Sequence, residues 1–282
     1  MTWRIDIVHR NTYRYARPAV GSYNEVRMTP ANGERQRLLD RRLQVSPHAS
    51  LMHYRDYWGT AVDAFDVHTP HLELSIVSSS TVETSPPLNR RLPCTWDDLA
   101  RRSVTDTWAE FLAPTDYTEL DESHLPLAVE LRGAADDGPE VVARRITDWV
   151  RSSMSYQPGS TRVSSPAADS LRSMAGVCQD FAHVTIAIAR RLGIASRYVS
   201  GYLHPDADAE LGQVVAGQSH AWVEFWLGEW KAFDPTNGAA VGERHVLVGR
   251  GRDYGDVSPL RGVYQGTSGA TLDVSVQLTR TA

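Results

Sequence analysis

The chain has 282 residues, 41% hydrophobic and 22% charged, with a formal net charge of −5. That profile belongs to a globular protein rather than a disordered one, and its acidic balance argues against nucleic acid as the main partner. Two isolated cysteines, Cys94 and Cys178, make neither a disulfide framework nor a zinc site, and no stretch approaches the apolar length of a membrane span. The opening Met1-Thr2-Trp3-Arg4-Ile5-Asp6 is charged and lacks the apolar run of a secretory leader, so a reducing cytoplasm is expected.

Residues 1–85 read as β-structure. Trp3 to Tyr15, Asn24 to Met28, Leu38 to Val45, Ala61 to Val67 and Leu72 to Val82 are β-favouring runs at sandwich spacing. Arg41, Arg42, His48, His53, His68 and His71 are scattered through them without ligand spacing and are expected on solvated strand faces. The proline-rich Ser85 to Pro93 breaks the pattern as a linker. Two domains are therefore expected, a β-rich one at 1–90 and a second at 91–282.

The second half is mixed. Thr95 to Ala100 has the look of a short capped helix. Pro139 to Arg151 is amphipathic, with Val142, Ile146, Trp149 and Val150 on its inner face. Ser152 to Ser165 is a small-residue loop, and Asp169 to Ala175 a short helix. Gly176 then permits a sharp turn into Cys178 to Leu192, a helix apolar around most of its girth and closed by Gly193. A helix apolar all round is a buried one, and Cys178 stands at its start. Unpaired N–H groups and the helix dipole favour a thiolate there, although a free cysteine is more often an inert core residue.

Ile194 to Leu203 is a strand, His204 to Gly217 a polar loop, and Ser219 to Leu227 and Trp230 to Asp234 are two further strands. Gly249 to Asp256 reads as a glycine-rich loop and Leu272 to Leu278 as a closing strand. On the first strand of the pair, His220, Trp222, Glu224 and Trp226 share one face and Ala221, Val223 and Phe225 the other. A thiol needs a base, and imidazole is tuned for that role near neutral pH. The imidazole in turn needs a carboxylate to fix its tautomer, and Asp234 follows on the neighbouring strand. For His220 and Asp234 to share a face, facing positions must sum to an even number. A two-residue turn at Gly228-Glu229 gives an odd sum, so an odd-length connection or a bulge is expected, unless Asp234 lies beyond the strand end.

Gly-Val-Cys-Gln-Asp-Phe-Ala-His, Ser-His-Ala-Trp-Val-Glu and Phe-Asp-Pro-Thr-Asn-Gly, in that order, resemble the core of the transglutaminase-like superfamily. More narrowly they resemble bacterial transglutaminase-like proteins described as cysteine proteases, whose N-terminal domain the β-rich first 85 residues also resemble. The resemblance implies an α+β fold: a β-sandwich-like N-terminal domain, then a papain-like core with a central helix packed on an antiparallel sheet. It implies Cys178, His220 and Asp234 as nucleophile, base and orienting acid of an acyl transfer through a thioester. The substrate class is a peptide or protein bearing an amide or glutamine-like side chain, with no cofactor, metal, nucleic acid or membrane required. Hydrolysis is favoured; isopeptide formation with an amine, or a non-catalytic binding role, are the alternatives. The Cys178 N–H is the first oxyanion donor. Tyr156 and Gln157, upstream of the cysteine, are candidates for the second or for substrate binding, and Trp222 for shielding the imidazole–carboxylate bond.

Other residues are set aside. His183 lies five positions after Cys178, about 140° around the helix, and cannot serve as its base. Asp180 and His183 are expected to pack or to hydrogen-bond locally, Glu224 to be a solvated strand residue, and Asp253 and Asp256 to serve turns or line the cleft. No segment has calcium-loop spacing, so the calcium dependence of some animal transglutaminases is not carried over.

Overall fold

The computed structural model describes residues 2–87, 93–238, 240–266 and 269–282. The expected linker at 85–93 falls largely on residues outside that set. The first region consists of β1 (Trp3–Ala19), β2 (Gly21–Val26), β3 (Gln36–Ser46), β4 (Met52–Arg55), β5 (Ala61–Val67) and β6 (His71–Thr84). Along β6 the side chains alternate between covered and part-exposed, the period of a strand with one wet face. β1, β6 and β3 lie in a curled antiparallel sheet, and β2, β5 and β4 in a second. Tyr15, Leu74 and Ile76 of one layer meet Val26, Phe65 and Val67 of the other. Of the scattered histidines, His48, His53 and His68 are exposed as expected. His71 is not: it is covered, lies edge-on to Tyr15 and bonds the Thr69 carbonyl.

The helical half opens with α1 (Trp96–Ala100), where Thr95 and Asp98 form a reciprocal capping box. It continues through α2 (Arg102–Thr107), α3 (Ala109–Leu112), α4 (Leu125–Arg132) and α5 (Pro139–Ser153). The inner face of α5 is Val142, Ala143, Ile146 and Val150, all fully covered, while Trp149 packs at its margin. β7 (Ser155–Tyr156), α6 (Ala167–Ser173) and β8 (Ala175–Gly176) lead into α7 (Cys178–Arg191). α6 is closed by Met174 in the left-handed region at φ 50°, and α7 is followed by Gly193 at φ 80°. Ala182, Val184, Ile186, Ile188 and Ala189 of α7 are fully covered, so the reading of this helix as central holds.

Beneath it runs an antiparallel sheet of β9 (Ser196–Leu203), β10 (Val214–Trp226), β11 (Trp230–Phe233) and β12 (His245–Gly251). The short α8 (Tyr254–Val257), β13 (Leu260–Gln265) and β14 (Ala270–Arg280) complete the chain. Ala221, Val223 and Phe225 face α7, as the alternation predicts. β10 starts earlier than expected, because Val214 to Gly217 pair with β14 before Gln218 to Phe225 pair with β9. That long-range partner, rather than local composition, turns the end of an expected polar loop into strand. β14 also pairs with β1 from Ile5 to Tyr15, so one sheet runs from the N-terminal strands to the strand carrying His220. Among the described residues no helix is long and apolar enough to cross a membrane.

Candidate active site

The start of α7 is built by a carboxylate. Asp180, the third residue of the helix, accepts the Val177 N–H at 2.8 Å, the Thr161 hydroxyl at 2.7 Å and the Ser170 hydroxyl at 3.1 Å. This ties the turn before Cys178 to two neighbouring segments and gives Asp180 the local hydrogen-bonding role expected of it. Gly176 is required by this packing rather than by an unusual dihedral, since an added Cβ would sit 2.5 Å from the Asp180 Cβ. Cys178 emerges at the helix N-terminus, half-buried and unpaired; Cys94 is also free.

His220 is presented by β10, with its ring 8% exposed. Its Nε2 lies 2.9 Å from Oδ2 of Asp234. With that nitrogen engaged, Nδ1 is the ring nitrogen left for a second partner. Burial opposes charge on the imidazole, but hydrogen bonds with Asp234 and then Cys178, together with their charges, raise its pKa from 6.5 to about 9. The ring therefore rests protonated near neutral pH. Burial alone would raise the Asp234 pKa; hydrogen bonds from His220, His245 and Asn237 instead hold it well below the carboxylate range.

The strand pairing behaves as parity requires. Trp226 faces Trp230 and Val223 faces Phe233, both even sums, with the three residues Leu227-Gly228-Glu229 between the strands and Gly228 at φ 84°. Asp234 lies one residue past the end of β11, and its Oδ1 accepts the N–H groups of Thr236 at 2.9 Å and Asn237 at 3.1 Å. Both routes by which Asp234 was expected to reach His220 are thus in use.

Trp222 is 2% exposed and stacks on His220 at 6.1 Å between ring centres. Its ring covers one face of the imidazole. Tyr156 pairs across the short β7–β8 ladder with Gly176, and its pKa is raised by burial and by the charge of Cys178. The Gln157 N–H bonds the Gly176 carbonyl at 2.8 Å, and the residue is exposed. Both residues therefore flank the turn into the cysteine.

His183 is wholly buried between Tyr117 and Tyr198, accepts the Tyr254 N–H at 3.1 Å and is lowered to about 3 by burial and then by Arg190. It is a packing residue, as expected. Asp253 caps α8 through the Gly255 N–H, and Asp256 holds Arg252.

Two expectations about the site need correction. Glu224 is not solvated: it is 7% exposed and held by Arg197 at 2.5 Å and Arg250 at 2.8 Å. Gly249 to Gly251 are the end of β12, paired with Ser200 to Tyr198 after a bulge, rather than loop. Two residues were also missed altogether. Asn237 donates to Asp234 Oδ2 at 3.0 Å, and His245 approaches the same oxygen at 3.3 Å. Nothing in the local sequence marks His245, because its strand hides behind glycines. Asn237 stood inside the matched Phe-Asp-Pro-Thr-Asn-Gly motif but read as a turn residue.

A hollow of about 890 Å³ runs along α5, and another of about 640 Å³ reaches the back of Asp234 beside Lys231 and Val241. Neither is lined by Cys178 or His220. The site is therefore placed by its chemistry rather than by either hollow.

Comparison with known proteins agrees with the architecture. Residues 127–235 match the transglutaminase-like superfamily, and residues 5–83 the bacterial transglutaminase-like N-terminal region. An uncharacterized protein of Mycobacterium leprae is 44% identical over 283 residues, covering 99% of this chain and all of that one. An uncharacterized protein of Mycobacterium tuberculosis is 34% identical over 308 residues, covering 98% of this chain and 93% of that one. Among solved structures, a protein of Cytophaga hutchinsonii titled "Putative Cysteine Protease" aligns over 100% of this chain and 98% of its own. Its TM-score is 0.77 at 22% identity, a likeness of fold.

Proposed function

Since this chain belongs to the transglutaminase-like superfamily and carries the bacterial N-terminal region of that group, we propose that it is a cysteine-dependent acyl-transfer enzyme that hydrolyses an amide bond. The observation that carries the reading is the 2.9 Å contact between His220 Nε2 and Asp234, beside a half-buried thiol at the start of a buried helix.

In this reading Cys178 attacks the amide carbonyl as a thiolate, paired with the His220 imidazolium. The Cys178 N–H, at the positive end of α7, steadies the oxyanion, with Tyr156 or Gln157 as second donor. His220 gives its proton to the leaving amine, a thioester forms, and His220 then takes a proton from the water that resolves it. Asp234 keeps the ring oriented throughout, and Trp222 keeps water off that bond. The 91–282 portion carries the chemistry, and the β-rich 1–90 portion is joined to it through the sheet that β14 completes. A reducing compartment such as the cytoplasm is part of the proposal, because a lone thiol stays usable there. Water rather than an amine is assigned as acceptor because it requires no second binding site.

The test is incubation with a library of glutamine-containing peptides and a labelled primary amine, with Cys178→Ala as control. New peptide termini or released ammonia, absent from the control, support hydrolysis. Incorporated label would move the assignment to isopeptide formation. Identical behaviour of wild type and control across the library would remove the catalytic reading.

A further inference from the structure

Three donors meet one oxygen at the site: His220 Nε2 at 2.9 Å, Asn237 Nδ2 at 3.0 Å and His245 Nε2 at 3.3 Å all approach Oδ2 of Asp234. The third is the unexpected one. His245 is the first residue of β12, 4% exposed, with its ring edge-on to Trp222 at 5.3 Å. Its tautomer is set from behind. The Gly242 N–H donates to Nδ1 at 3.3 Å, while the His245 N–H returns to the Gly242 carbonyl at 3.0 Å. With Nδ1 accepting, the single ring proton sits on Nε2 and points at the carboxylate. Protonating Nδ1 would set two N–H groups against each other in a buried turn. Burial accordingly pushes the His245 pKa down, and Asp234 offsets this only in part.

We propose that His245 is a positioning residue that, as a neutral imidazole, shares Oδ2 of Asp234 with His220 and so moderates the hold of that carboxylate on the His220 proton. A carboxylate oxygen that serves several donors offers less electron density to each. His220 must keep its proton in the resting ion pair yet release it to a leaving amine, so too strong a hold slows catalysis. The groups facing the pair are Asp234 beyond β11, His220 and Trp222 on β10, Asn237 in the turn, and Cys178 at the start of α7. Arg244, the neighbour of His245, turns its guanidinium to the carbonyls of His204 and Pro205. The proposal deepens the acyl-transfer reading and rests on it for its purpose, but its test needs no substrate.

Iodoacetate is an anion drawn to the thiolate by the imidazolium, so its rate of Cys178 alkylation falls as His220 loses its proton. The midpoint of that fall is measured for wild type, His245→Leu and His245→Gln. Leu removes the donor at similar bulk, and Gln places an amide N–H near the Nε2 position. The Leu variant is expected to move the midpoint upward by roughly half a unit, about threefold in the ion-pair equilibrium, and the Gln variant to restore it. An unchanged or lowered midpoint in a folded Leu variant overturns the proposal. Nitrogen NMR of the wild type tests it without substitution: His245 should remain the neutral Nε2–H tautomer as pH falls through the ordinary imidazole range. Ordinary titration there, or the opposite tautomer, also overturns it. If the peptide assay finds no acyl transfer while these results hold, the coupling stands and its assigned purpose falls.

Discussion

β10 carries or faces two buried carboxylates, and their partners set them apart. Glu224, four residues along the same strand face from His220, is clamped between the guanidiniums of Arg197 and Arg250, with Arg197 stacked 4.0 Å over Trp230. Asp234 is held by His220, His245 and Asn237. Both carboxyls stay ionised, each with a pKa below its ordinary value despite burial. Guanidinium nitrogens only donate, so neither partner of Glu224 can take a proton from a thiol. Imidazole can donate from one nitrogen and accept at the other. The comparison teaches that burial and charge pairing do not tell the two carboxylates apart; a partner able to exchange a proton does.

The largest effect that would break this contrast is expected at the thiol. Cys178→Ala should reduce acyl transfer to background, measured on the peptide library, with the fold intact by circular dichroism. Next, Asp234→Asn should cost about 10³–10⁴-fold in kcat/KM by upsetting the His220 tautomer. Glu224→Gln should leave kcat/KM within a few-fold while costing about 3–5 kcal/mol of stability, because two guanidiniums lose their buried counter-charge. Denaturant melts and kinetics of the two variants together decide the matter, and equal kinetic losses would erase the distinction. Gly176→Ala, which drives a Cβ against Asp180, should destabilise by roughly 1–3 kcal/mol. It should also slow Cys178 alkylation by displacing the helix start.

The smallest effect is a pH dependence. His220 is raised to about 9, so its stabilising contribution is complete below the ordinary imidazole pKa and is lost as pH rises through about 9. Asp234 is lowered, so its contribution is complete above the ordinary carboxylate pKa and fades as pH falls below it. Melting temperatures should form a plateau between those limits, and His220→Gln should remove the alkaline shoulder. Glu224→Gln should leave that shoulder in place.

Much of this site was legible before any coordinates. α7 declared itself by apolar residues around most of its girth, and the even parity of β10 and β11 followed from requiring His220 and Asp234 to share a face. What escaped depended on contacts far apart in sequence. Glu224 alternates with apolar neighbours just as a solvated residue would, and only the cross-strand Arg197 and Arg250 show that its face is closed. β12 was hidden by Gly249 and Gly251. Gly249 fits there because an added Cβ would meet Thr60 at 2.7 Å, a crowding supplied by a segment almost two hundred positions earlier. Gly201 shows the same principle, since Trp222 and the Val246 carbonyl occupy the space a side chain would need.

β14 lies between β1 and β10, opposing Asp6 and Val214 at the same residue, Thr279. It acts as a tie-rod: one intervening strand couples β1 to the ribbon that carries His220. Recombination that exchanged the front of the gene for another would have to supply a matching edge for Val276 and Leu278. Without one, the strand that Val214 to Gly217 of β10 pair with would itself lose its neighbour on the other side.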